Sequence, residues 1–145
     1  MDKNDSGDDE APNYKLAAVN IIAQQVIYYS FMKTISLTGP VPALQMLSEV
    51  IQHYADAAYP VGGSECAQTA RAGLLDTVEK INQQIEQGLL HVTISRRIKS
   101  HIKAAIQYYL QMFAEPNLEK EPALHRSQLM LAMLDGKSVA DDEWL

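Results

Sequence analysis

VNIIAQQVIYYSFMKTISLTGPVPALQMLSEVIQHY, residues 19–54, and KSHIKAAIQYYLQMFAEPNLEKEPALHRSQLMLAML, residues 99–134, are the two stretches on which the reading of the fold turns. At an offset of 80 residues, Ile22, Tyr28, Tyr29, Met32, Pro42, Ala43 and Leu44 recur as Ile102, Tyr108, Tyr109, Met112, Pro122, Ala123 and Leu124. Val26 is echoed by Ile106, and the identities number seven in 36 pairs. Each stretch describes a helix whose apolar face ends in Tyr-Tyr, a short connection, and a second helix opened by Pro-Ala-Leu. A true duplication makes the fold a doubled helical hairpin; the competing explanation is that amphipathic helices draw on a small alphabet.

Outward from the echo, apolar residues recur at spacings of three and four, and no segment alternates with period two over a useful length. The expectation is an all-α fold, a compact bundle of about five helices. The first is placed at about Asn13 to Ile35, with Pro12 and Asn13 as start signals. Thr38-Gly39-Pro40-Val41-Pro42 breaks the chain, because proline lacks an amide donor and restricts the residue before it. A second helix runs to about Ala58 on Leu44, Leu47, Val50, Ile51 and Tyr54. Tyr59 to Gly63 ends it, and Ser64 caps a third to about Gln87, whose seam is Leu74, Val78, Ile81 and Ile85. That seam is expected to pack inside the domain. Gly88 stops this helix and Leu89 to Ile94 forms a short apolar connection for which an extended conformation is open. Ser95 caps a fourth helix to about Phe113, Glu115-Pro116-Asn117 breaks it, and a fifth runs from Pro122 to Leu134 with Gly136 as its stop.

At 145 residues the chain suits one domain that folds without disulfides or metals. Cys66 is its single cysteine, and the chain reads as cytoplasmic. Leu16 to Met32 carries no charge but contains Asn20, Gln24 and Gln25 and is short of the roughly 20 apolar residues of a membrane span. No membrane association is expected.

The net charge of −6 divides unevenly. Residues 1–11 hold five acids against Lys3, and residues 135–145 hold Asp135, Asp141, Asp142 and Glu143 against Lys137, leaving the remainder at +1. Residues 1–12 are therefore expected to be a disordered acidic tail, 13–134 the helical domain, and 135–145 a mobile acidic tail.

Two places attract a functional reading. Arg96, Arg97, Lys99 and Lys103 lie at the start of the fourth helix, with no acid between Glu86 and Glu115. Cations are disfavoured at the positive end of a helix dipole, so their placement suits an anion, such as a nucleic-acid phosphate or an acidic protein segment. The alternative is a solvated helix face. Asp141, Asp142, Glu143, Trp144 and Leu145 combine acids with two large apolar side chains, a pattern suited to docking on a basic groove through the Trp. The competing readings are a Trp folded back onto the bundle, a solubilising tail, or a tail lying on Arg96 and Arg97.

Weaker patterns are assigned to structure. Glu49, His53 and Asp56 share a helix face without a second ligand pair, and are read as an exposed polar face. Cys66 is expected to be a small buried residue. Gly62-Gly63-Ser64 lacks the ending of a phosphate-binding loop. Within the Tyr-Tyr pairs, Tyr29 and Tyr109 align with the apolar stripes and Tyr28 and Tyr108 flank them, so packing is preferred over ligand contact. No catalytic constellation, cofactor or metal is implied. The expectation is a non-catalytic interaction module that self-associates and binds protein partners; the alternative is a nucleic-acid-binding regulator that uses the basic helix start.

Overall fold

In the computed structural model the described residues are 33–89, 91–113 and 122–145. Their order is β1 (Thr34–Leu37), α1 (Val41–Ala58), α2 (Glu65–Glu86), β2 (Val92–Ser95), a 3-10 turn (Arg96–Ile98), α3 (Lys99–Phe113), α4 (Pro122–Leu134) and the short α5 (Asp141–Trp144). The fold is mostly helical, as the periodicity predicts, and Thr34–Leu145 forms one unit. The acidic N-terminal segment, the first expected helix up to Met32, its Tyr28-Tyr29 pair and the Glu115-Pro116-Asn117 breaker lie outside the described residues.

Helix α1 is the centre. Pro40 precedes it and Pro42 stands in its first turn, where a missing amide costs no helical bond. Its buried residues are Ala43, Leu44, Leu47, Ser48, Val50, Ile51 and Ala55, and it packs against α2, α3 and α4. Within α2, Leu74 and Ile81 are fully buried while Val78 and Ile85 pack at the margin of the core, so the seam is spent inside the unit. A polar bond ties the same pair of helices where Ser48 Oγ donates to Asn82 Oδ1 at 2.9 Å.

Helix ends are closed by the residues expected for them. Ser64 Oγ accepts the Ala67 amide at 3.2 Å at the start of α2. Gly88 and Gly136 have φ of 72° and 87°, the left-handed conformation that glycine adopts without a side-chain clash. After α4, Gly136 N donates to Met133 O and Lys137 N to Ala132 O, which satisfies two orphan carbonyls; Gly88 and Leu89 do the same after α2.

One expectation is overturned at the sheet and another is met there. The first helix is not continuous to Ile35, because Thr34–Leu37 is a strand. It pairs antiparallel with Val92–Ser95, bringing Ile35 opposite Ile94 and Leu37 opposite Val92. The apolar connection before Ser95 is thus a strand whose Val92 and Ile94 enter the core. Local helix preference loses here to cross-strand burial of β-branched and leucine side chains. The edge of β2 is closed by a side chain: Thr93 N donates to Gln84 Oε1 and Gln84 Nε2 donates to Thr93 O, both at 2.9 Å.

The C-terminal segment differs from the mobile tail expected over 135–145. Ser138 forms a parallel bridge with Thr38, and Val139 N donates to Thr38 O at 3.0 Å. Gly39 admits this crossing, since a Cβ there would lie 2.6 Å from the buried Met133 Sδ. Asp141–Trp144 is helical, with the Ala140 amide donating to Glu143 Oε1 at 3.1 Å. Trp144 is only 6% exposed, the Arg126 guanidinium lies 5.7 Å from its ring centroid, and His125 Nε2 and Glu143 O are 2.6 Å apart. Burial of Val139 and Trp144 outweighs the solvation of the acids between them, which stay exposed.

Trp144→Ala is therefore expected to lower stability by about 3 kcal/mol, the scale of emptying an aromatic site in a core. Urea unfolding measures it. An unchanged midpoint would return the segment to a mobile tail.

Candidate functional site

Helix α1 places Met46, Glu49, Val50 and His53 on one stripe, because residues three and four apart share a helix face. On α3, Tyr109 and Phe113 are four apart and Tyr108 flanks them. Packing α1 on α3 turns these two stripes toward each other and leaves a groove of about 210 Å³ lined by those seven residues. The His53 ring lies 5.9 Å from Tyr108 and 6.3 Å from Phe113, and Tyr109 lies 5.1 Å from Phe113. These spacings are those of interacting aromatic pairs.

The ring cluster continues away from the groove. Tyr108 meets Tyr54 at 5.7 Å, Tyr54 meets Tyr59 edge-on at 6.0 Å, and Tyr59 meets His101 at 6.1 Å. Burial, followed by the neighbouring Tyr59, raises the Tyr54 hydroxyl above the ordinary tyrosine value. Phe113, in the wall of the groove, is 54% exposed, and Met112 beside it in the sequence is 57% exposed. Glu49 is exposed on the wall and has no ion pair among the described residues. The place combines apolar area, π faces and one uncompensated carboxylate.

Beyond Glu49, the polar face of α1 is used structurally. Arg71 Nη2 pairs with Asp56 Oδ1 at 2.9 Å, while its Nη1 donates to Ala55 O and Tyr59 O at 3.3 and 3.2 Å. The guanidinium thereby supplies the positive charge that the last turn of α1 lacks. No group of three or more His, Cys, Asp or Glu among the described residues could hold a metal ion. Cys66, expected to be buried, is exposed instead; it stands in the first turn of α2, where Glu65 is exposed too, as is Thr69 one turn on.

The basic helix start is rearranged relative to expectation. Arg96 and Arg97 sit in the 3-10 turn rather than in an α-helical first turn, and Ser95 Oγ takes the Arg97 amide at 3.3 Å. Lys99 is drawn to Asp135, Nζ to Oδ1 3.3 Å, so one acid of the C-terminal segment lies on this end of α3. Arg96, Arg97 and Lys103 are exposed and have no ion pair among the described residues. Of the four cations, Lys99 is thus engaged by an acid of its own chain.

The C-terminal residues likewise separate. Trp144 is packed, whereas Asp141, Asp142 and Glu143 are exposed and Leu145 is 97% exposed. The anchor expected for partner docking is already occupied within its own chain. A second hollow, of about 540 Å³, lies where the start of α1, the end of α2 and the C-terminus meet. Its aliphatic walls, Val41, Leu44, Ile85 and Leu89 among them, offer area without a comparable cluster of rings.

The sequence groups Glu49 with His53 on one helix face and Tyr108 with Tyr109 on another, but local pattern does not join the two groups. The shared signal is two stripes of period 3.6 that carry aromatic or polar residues where plain aliphatics would suffice. Compared with known proteins, the chain matches no family model, no curated protein and no solved structure.

The Asp56 pair gives a pH test. Its carboxyl is held below the ordinary value of 3.8, first by the hydrogen bond from Arg71 and then by that from Gln52. A lowered folded-state pKa contributes stability that is complete above the unfolded value and is lost as pH falls through the folded one. Asp56→Asn is expected to destabilise the protein at neutral pH, with the gap to the unmodified chain closing between about pH 5 and pH 2. Urea midpoints across that range check the sign; a constant gap would contradict it.

Proposed function

We propose that this protein is a non-catalytic, cytoplasmic interaction module that self-associates and holds protein partners through the aromatic groove between α1 and α3. The observation that carries the reading is the exposure of Phe113, a residue of the groove wall, with Met112 exposed next to it in the sequence. Large apolar and aromatic side chains left in water next to a concave surface are the usual composition of an interface centre. Glu49 adds direction, since a lone carboxylate at the margin of an apolar patch selects for a cation on the partner. The exposed thiol of Cys66 suits a reducing compartment.

A second reading retains a specific support. Arg96, Arg97 and Lys103 are exposed without ion pairs among the described residues, which suits nucleic-acid phosphates. The diversion of Lys99 to Asp135 weakens it by removing one of its four cations.

Light scattering on the purified chain, alone and with a labelled oligonucleotide at low and high salt, separates the two. The expected result is an oligomer that ignores the oligonucleotide and whose dissociation constant rises about tenfold or more in Phe113→Ser. A monomeric chain that forms a salt-sensitive complex with the oligonucleotide would replace the first reading with the second.

A further inference from the structure

Charges of opposite sign, without an ion pair among the described residues, stand at opposite ends of α3. Glu49 lines the groove beside Tyr109 and Phe113, at the C-terminal end of the helix. Arg96 and Arg97 are exposed in the turn that precedes its first residue. A helix of 15 residues is roughly 22 Å long, more than an arginine side chain can span, so one copy cannot bring the two together. A second copy can.

We infer that self-association of this protein is head-to-tail, the guanidinium of Arg96 or Arg97 from one copy entering the aromatic groove of the next and pairing there with the Glu49 carboxylate. The inference rests on the self-association proposed above and names its chemistry. Guanidinium is weakly hydrated, stacks on aromatic faces and matches a carboxylate with two parallel donors. The groove supplies both elements: the rings of His53, Tyr108, Tyr109 and Phe113, and one carboxylate. Its volume of about 210 Å³ is below the roughly 300–1,000 Å³ of pockets for small organic ligands, and suits one inserted side chain. The carboxylate is essential to the argument, since a cation leaving water for an apolar groove needs a counter-charge.

Such a contact joins two different surfaces, so it is heterologous. Repetition closes a ring where the rotation permits and otherwise extends a filament. Oligomer size would then grow with concentration and shrink with salt.

The test is sedimentation velocity over a concentration series at low salt, on the full chain and on two charge-reversed variants, Glu49→Arg and the double variant Arg96→Glu/Arg97→Glu. Circular dichroism establishes that each variant is folded. The chain itself is expected to associate and each variant alone to sediment as a monomer. An equimolar mixture should form a 1:1 complex, because the intact arginines of the first variant meet the intact groove of the second. Glu49→Gln, which keeps the shape and removes the charge, is expected to weaken association at least tenfold. If both variants associate as the original chain does, or if the mixture of folded variants stays monomeric, the head-to-tail contact is wrong although self-association stands. A chain that remains monomeric throughout the series overturns both.

Discussion

Burial of one broad face of α1 is the constraint to which the other elements answer. Ala43, Leu47, Ile51 and Ala55 on that face are fully inaccessible, and they recur at four-residue steps. The aliphatic members each contribute roughly 1.5–3 kcal/mol of transfer free energy, while the two alanines let neighbouring backbones come close. A helix this enclosed has to satisfy its ends locally. Prolines do so at the start, and the Arg71 guanidinium donates to two carbonyls at the finish. The strands, in turn, cover what the helices leave, placing Leu37, Val92 and Ile94 in the same core.

The groove follows from this arrangement rather than standing apart from it. The face of α1 that meets α3 is apolar at Val50 and becomes aromatic and polar toward His53 and Glu49, so contact with α3 is close in one part and open in the next. At the open part, rings pack on rings and still leave space beside them. Phe113 belongs to the cluster and to the surface at once, which is the physical basis for reading this place as an interface. The C-terminal segment is the reverse case. Its acids suggest a free arm, yet Trp144 is spent on the fold and Asp135 on Lys99.

The helices were legible in the sequence because 3.6-residue periodicity, Ser64, Gly88 and Gly136 all point the same way. The strands were less so, beyond the extended conformation open to Leu89 to Ile94. Each has four residues, and their partners are more than fifty positions apart, so alternation is too brief to register and pairing is invisible to local pattern. The α5 helix was hidden by composition, since two apolar anchors five residues apart do not offset the appearance of an acidic tail. Cys66 was misjudged because a residue type's average burial says little about which side of a helix it occupies. The echo survives in part: Ala43 and Ala123 are both buried just inside α1 and α4, and Leu47 and Ser127 are both buried one turn on. The groove needed tertiary contact to appear, although its two halves were each visible as stripes.

The most direct measurement of the central claim is site-specific photo-crosslinking, with a benzophenone amino acid in place of Phe113 in the wall of the groove, followed by mass spectrometry of the crosslinked peptides. The account expects a covalent dimer whose second peptide contains Arg96 and Arg97. Crosslinks confined to a single chain, or joining copies only through surfaces remote from that turn, would contradict it.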